Sequence, residues 1–293
     1  MTEVLWKTGK LVQDACKNWN QLLPRCAYDR CPGRSSIVNG FLRRGEGFHC
    51  NSRYWYCSPD CLESSLAEAF RQLIINYPST SGSSSARLPI GQLFVLKGIV
   101  SEQQLRSGLQ AQTEQGGLLG ECMERMGLLT EDAVTASVAT QWACPIFPRN
   151  SVQSGCSSLI PLAIEKAHEF VAVHLASSTR TIYVAHARAI NYAVLYAVEQ
   201  MLGFHVEPCV LPRRVVMSLI ESEQRQDSPE ISFDAGLNGQ EMARTVRSYA
   251  QQLRSESLRY TLCGNFLWVA IKGARQDIPL LFSCDRRQER IES

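Results

Sequence analysis

A chain of 293 residues is long enough for two or three small domains, each with its own core. A formal net charge of +2, with 20% charged residues, gives no global basic field, so charge makes no case for nucleic acid as a partner. The opening MTEVLWKTGKLVQDACKNW lacks the apolar centre of a signal peptide, and nowhere do about eighteen uncharged apolar residues run together, so the expectation is a cytoplasmic protein with no membrane insertion.

The first element is a helix over 4–23, with Leu5, Leu11, Val12, Cys16 and Trp19 at helical spacing. Six of the twelve cysteines, Cys16, Cys26, Cys31, Cys50, Cys57 and Cys61, crowd into the first fifth of the chain. The other six, Cys122, Cys144, Cys156, Cys209, Cys263 and Cys284, stand singly among apolar neighbours and read as core thiols. In a reducing compartment the crowded set is either buried thiols or metal ligands. Cys26 and Cys31 bracket a tight knuckle followed by Pro32-Gly33, while Cys57 and Cys61 straddle the start of a helix, CLESSLAEAFRQLII. Two close pairs separated by a few tens of residues have the form of a four-thiolate zinc site, with a hairpin through Phe41, Phe48 and Trp55 as its small core. His49 and Cys50 fall inside that hairpin and read as bystanders.

The sequence Tyr56-Cys57-Ser58-Pro59-Asp60-Cys61 leading into a helix resembles treble-clef zinc fingers of the TRASH and FCS kind. With all four positions filled by cysteine, the zinc would be structural and not catalytic. A metal-free cluster of buried cysteines is the other reading. Residues 1–76 are thus expected to form an N-terminal helix and zinc module. A flexible linker follows at 77–87, with PSTSGSSSA at its centre.

The stretch from Pro89 to Gln141 says the same thing twice. Repeats 89–112 and 118–141 match at an offset of 29 residues: Gly91 with Gly120, Gly98 with Gly127, Ser101 with Thr130, Leu105 with Val134, Leu109 with Val138, and Gln112 with Gln141. Within each copy a short helix stops at the glycine, and a second starts at the hydroxyl residue, with Gln104 placed to complete a capping box on Ser101. The paired apolar residues give each helical hairpin a stripe to bury on its twin.

These tandem copies, with the WACPIFP segment at Trp142 to Pro148 and an α/β segment behind it, resemble the N-terminal domain of the type II secretion and type IV pilus assembly ATPases. In that family the motif opens with Arg-Leu-Gly and ends in Gln, and some members use it to bind cyclic di-GMP. The resemblance implies a domain over 88–222, protein partners in a secretion or pilus apparatus, and a ligand site at Gly91, Gln112, Gly120 and Gln141. The arginine position is Pro89 in one copy and Leu118 in the other, and neither can pair with a guanine edge or a phosphate. Arg87 is the one upstream residue able to substitute. A packing scaffold and a cyclic di-GMP receptor both stay open.

From 159 to 222 the pattern reads helix, strand, strand, helix, strand, helix: a small α/β sandwich. After a polar link at 223–229, the segment 230–284 reads as a strand at Ile231 and Phe233, a helix striped by Met242, Val246, Tyr249 and Leu253, and three strands. The tail at 285–293 is charged. The expected class is α+β and multi-domain, with the zinc module, the repeat-plus-sandwich domain and the C-terminal α/β unit as three separate bodies.

Chemistry is sparse. No G-x-x-x-x-G-K-[ST] occurs, so the phosphate-cradling loop of the secretion ATPases is missing. HExxH and G-x-S-x-G are also absent. Arg43-Arg44, Arg213-Arg214 and Arg286-Arg287 read as solvated pairs. The expectation is a non-enzymatic regulatory or adaptor protein; the alternatives are a cyclic di-GMP receptor and a zinc finger that binds nucleic acid or senses redox state.

Overall fold

The computed structural model describes residues 25–32, 47–76, 87–153, 155–223, 230–233, 236, 238–255, 257–274 and 276–284. The helix expected at 4–23, the linker apart from Arg87, the link at 224–229, the tail and Phe41 lie outside the described residues. The chain is a mixed α+β protein. Its elements begin with β1 (Phe48–Cys50), β2 (Tyr54–Tyr56) and α1 (Pro59–Asn76). The repeats follow as α2 (Ile90–Leu96), α3 (Glu102–Gln115), α4 (Leu119–Arg125) and α5 (Glu131–Trp142). Next come α6 (Leu162–His168), β3 (Phe170–Ala176), β4 (Thr181–His186), α7 (Tyr192–Leu202), β5 (His205–Val210) and α8 (Arg213–Glu223). The chain closes with β6 (Ile231–Phe233), α9 (Gly239–Gln252), β7 (Ser257–Cys263), β8 (Phe266–Lys272) and β9 (Asp277–Ser283).

These elements form two compact units. One comprises Met1–Tyr77 together with Glu230–Ser293, and the other is Pro78–Pro229. The separate bodies expected at 1–76 and 230–284 are therefore one. Its six-stranded sheet runs β2-β1-β7-β8-β9-β6, with β1 parallel to β7 through His49 opposite Ser257 and Cys50 opposite Leu258. The physical reason is that a hairpin of two three-residue strands buries too little to stand alone and leaves an open edge. Joining the antiparallel β7-β8-β9 ladder satisfies that edge.

Alternation sorts the sheet. Leu267, Val269 and Ile271 of β8 and Ile278, Leu280 and Phe282 of β9 point to one face, where they share a core with Leu62, Leu66 and Phe70 of α1 and Met242, Val246 and Ala250 of α9. Full burial of each large side chain here stabilises by roughly 2 kcal/mol. Phe70 meets Tyr260 edge to face at 5.2 Å between ring centroids, and the Tyr56 hydroxyl lies 2.8 Å from Ser65 Oγ, which ties β2 to α1.

In the second unit the repeats take the helical form their offset predicts, but the expected apolar stripe is buried in only one copy at its second position: Val138 is buried and its counterpart Leu109 is exposed. Gly98 and Gly127 adopt left-handed φ values of 66° and 72° at the two helix ends. Ser101 and Gln104 make the reciprocal capping box, and Thr130 Oγ1 accepts from the Ala133 amide at 3.2 Å. The repeat core is symmetric: Phe94 with Met123 and Val100 with Leu129 are all buried, each pair 29 residues apart. The sandwich sheet runs β3-β4-β5, antiparallel then parallel. Val171, Val173 and Cys209 pack under Val216 and Ile220 of α8, while Val138 and Ala139 of α5 dock on Val210.

Candidate functional site

Two places concentrate functional side chains, one in each unit. In the first unit the backbone folds the two cysteine pairs together. The Ala27 amide donates to the Trp55 carbonyl at 2.8 Å, which lays the Cys26 strand end beside β2, and the Cys31 amide donates to the Tyr28 carbonyl at 3.1 Å, closing the knuckle. Cys57 follows β2 directly, and Cys61 sits in the first turn of α1, its amide donating to Ser58 Oγ at 3.2 Å.

The sulfurs of Cys26, Cys31, Cys57 and Cys61 all lie within 4.8 Å of one another. Cys31 and Cys57 sulfurs are 3.5 Å apart, and those of Cys57 and Cys61 are 3.9 Å apart. A disulfide needs about 2.05 Å, so these are not bonded pairs. A tetrahedron of thiolates at about 2.3 Å from a central ion has edges of about 3.8 Å, which is what these separations fit. Burial, followed by the contact with Cys31, pushes the Cys57 thiol up to about 11, and burial pushes Cys61 up to about 12. Four sulfurs this close together cannot all carry a negative charge unless a cation sits among them. The donor set is complete and offers no open position, so it suits a structural ion. His49 is exposed, and Cys50, fully buried on β1, stays outside the cluster.

In the second unit a cavity of about 1030 Å³ opens between the repeats and the sandwich. It brings together Gly91, Gln112, Gly120 and Gln141, and it also shows why each is there. A Cβ on Gly91 would stand 2.7 Å from Leu105 Cδ1, and one on Gly120 would stand 3.0 Å from Val134 Cγ1. The two glycines serve the close approach of helices within each hairpin. Gln112 Nε2 donates to the Gly117 carbonyl at 3.0 Å, and Gln141 Nε2 donates to the Leu88 carbonyl at 2.8 Å. Arg87 does not line the cavity; its guanidinium lies over the Trp142 ring, 3.8 Å from the centroid.

Sequence reasoning missed the cavity's cations. Arg125, Arg188, Arg213 and Arg214 line it together with Glu121, Glu124 and Glu131. Arg213, expected as a solvated surface residue, instead bonds Glu121 at 3.2 Å and Glu169 at 3.0 Å, and Arg188 pairs with the same Glu169. Arg214 extends into solvent, 3.9 Å from Glu131. Burial first, and the neighbouring Glu131 second, hold the Glu124 carboxyl above the usual range. A dipeptide of arginines carries no local signal that one of them will turn inward, because its carboxylate partners come from α4 and from the residue after α6.

The PilB type IV pilus assembly ATPase of Thermus thermophilus is 26% identical over 121 residues, which is 41% of this chain and 14% of that protein. The chain is similar to pilus assembly ATPases over part of its length. The Myxococcus xanthus PilB ATPase is 22% identical over 149 residues, 50% of this chain and 26% of that protein, so the chain spans about a quarter or less of either pilus ATPase. Among solved structures, MshE with cdg aligns over 46% of this chain and 99% of its own, at 23% identity and a TM-score of 0.40. The XpsE N-terminal domain aligns over 48% and 96%, at 17% identity and a TM-score of 0.36. No protein-family model matches the chain.

Proposed function

We propose that this chain acts as a non-enzymatic adaptor of a type II secretion or type IV pilus-like system, binding protein partners. The observation that carries the reading is the pilus-ATPase similarity in a chain whose 293 residues hold no phosphate-cradling loop. Among the described residues no helix is long and apolar enough to cross a membrane, which is consistent with a partner reached from solution. The first unit contributes a structural zinc on Cys26, Cys31, Cys57 and Cys61, supported by the sulfur separations. Co-purification with the pilus or secretion apparatus components of the same cell, combined with an ATP hydrolysis assay on the pure chain, tests the proposal. Stoichiometric complex formation without turnover is expected, and hydrolysis above background would sink it.

A second reading, a cyclic di-GMP receptor, is favoured by one observation: the cavity gathers both repeat glutamines and four arginines. Against it stand the internal partners that Arg213, Gln112 and Gln141 already have. Calorimetric titration of cyclic di-GMP into the pure protein decides between the two, since binding heat that Arg214→Ala abolishes would establish the receptor.

A further inference from the structure

The first unit is built from two stretches of chain that flank the whole of the second, yet all four sulfur ligands come from the leading stretch alone. We infer that metal occupancy at the four-cysteine centre controls whether the trailing segment 230–284 is folded: the ion staples a body whose second half it never touches. This rests on the metal reading above.

The connections run directly from the ligands to the trailing segment. Asp60 lies between Cys57 and Cys61 in sequence, and its carboxylate bonds Arg247 of α9 at 3.0 Å; two residues beyond Cys61, Glu63 bonds the same guanidinium at 2.7 Å. Helix α1, whose first turn carries Cys61, covers the sheet face of β7, β8 and β9 with Leu62, Leu66 and Phe70. Strand β1 supplies the parallel neighbour of β7, and beyond its end the Asn51 amide donates to the Leu258 carbonyl at 2.9 Å while the Tyr260 amide donates to Asn51 Oδ1 at 2.9 Å. One buried cluster includes Cys26, Cys31 and Cys61 together with Val246, Leu258 and Phe282, so ligands and trailing strands share a core.

Small modules of this kind convert metal binding into folding free energy, because the site does not exist in the unfolded chain. Without the ion, the short knuckle and the three-residue strands have little to hold them, and α1 loses the anchor of its first turn. The sheet face beneath α1 then opens to water and the parallel neighbour of β7 is lost. Metal removal therefore propagates across the sheet while the second unit, with its own cores, is left as it was.

The test is hydrogen exchange by mass spectrometry on the full chain, as purified, after chelation, and after zinc chloride is added back, with zinc content measured on each sample. About one zinc per chain is expected, with chelation abolishing protection in α9, β7 and β8 as well as in 47–76, re-addition restoring it, and β3 to β5 unchanged throughout. If zinc is present and its removal leaves α9, β7 and β8 protected, the staple is wrong and the metal site stands. If β3 to β5 lose protection as well, control is not confined to the trailing segment and the inference fails. If the chain neither holds zinc nor responds to it, the metal reading falls and takes the staple with it.

Discussion

Gln141 reaches back 53 residues to donate a hydrogen bond to the Leu88 carbonyl, which lies one residue ahead of the first repeat. Gln112, its counterpart 29 residues earlier, donates to the Gly117 carbonyl, one residue ahead of the second repeat. Each repeat thus closes on the threshold of the other, and the residue that ends the motif is a reciprocal clasp. Removing either side chain leaves a carbonyl that water can reach, so the loss is the net value of one bond, about 1 kcal/mol. Gln112→Ala and Gln141→Ala are each expected to destabilise the second unit by that amount, read as a lower urea midpoint at unchanged m-value. Two silent substitutions would show that the clasp is ornamental.

Gly239 opens α9 close against the backbone of α1. A Cβ there would stand 3.0 Å from the Ala67 carbonyl oxygen and 3.1 Å from the Arg71 amide nitrogen, both backbone atoms of α1 that cannot rotate away. Gly239→Val is expected to push the two helices apart and destabilise the first unit by about 2 kcal/mol. Thermal unfolding followed with zinc release should show both falling together. A variant as stable as the parent would mean the helices shift without cost.

What the sequence disclosed here was whatever leaves a local or periodic trace. The repeats were legible because Gly98 and Gly127, Ser101 and Thr130 recur at one offset, and the turn and cap chemistry of those residues dictates helix ends. The clustering of the two cysteine pairs was legible because the spacing within each pair is short-range. The pairing of His49 with Ser257 was not, since a parallel strand contact between distant segments imprints no pattern on either, and so two expected bodies proved to be one. Gly91 and Gly120 were read for close approach to a ligand, whereas the backbone they leave bare is approached by Leu105 and Val134. Arg87 was assigned to a ligand on position alone, and the ring that takes it, Trp142, became visible only in three dimensions.

Cys50 is the control for the proposed metal site. It is as buried as any of the four cysteines there, its thiol is pushed up to about 12 by burial, and it lies on β1 outside the four-sulfur cluster. Cys50→Ala removes one buried sulfur and is expected to cost about 1 kcal/mol while leaving the zinc stoichiometry at one. Cys61→Ser is expected to bring zinc content to none. Elemental analysis of the two proteins side by side checks the pair, and zinc lost from Cys50→Ala would move the ligand set.

Acid sensitivity is expected to come from His186. The residue is 2% exposed at the end of β4, its ring lies 5.5 Å from that of Phe170 at a tilt of 44°, and among the described residues neither ring nitrogen has a hydrogen-bond partner. Burial, and then the proximity of His168, hold its imidazole down to about 4. In the unfolded chain the same group titrates near 6.5. Above that value it is neutral in both states and contributes no pH dependence. As pH falls from about 6.5 toward 4, the unfolded chain takes the proton first, so stability is lost through this window, by roughly 3 kcal/mol at its lower end. His186→Leu keeps the apolar contact with Phe170 and removes the proton acceptor, so it is expected to match the parent at pH 7.5 and to exceed it at pH 5. Urea midpoints for the second unit at the two pH values measure the difference, and parallel acid losses in both proteins would assign the sensitivity elsewhere.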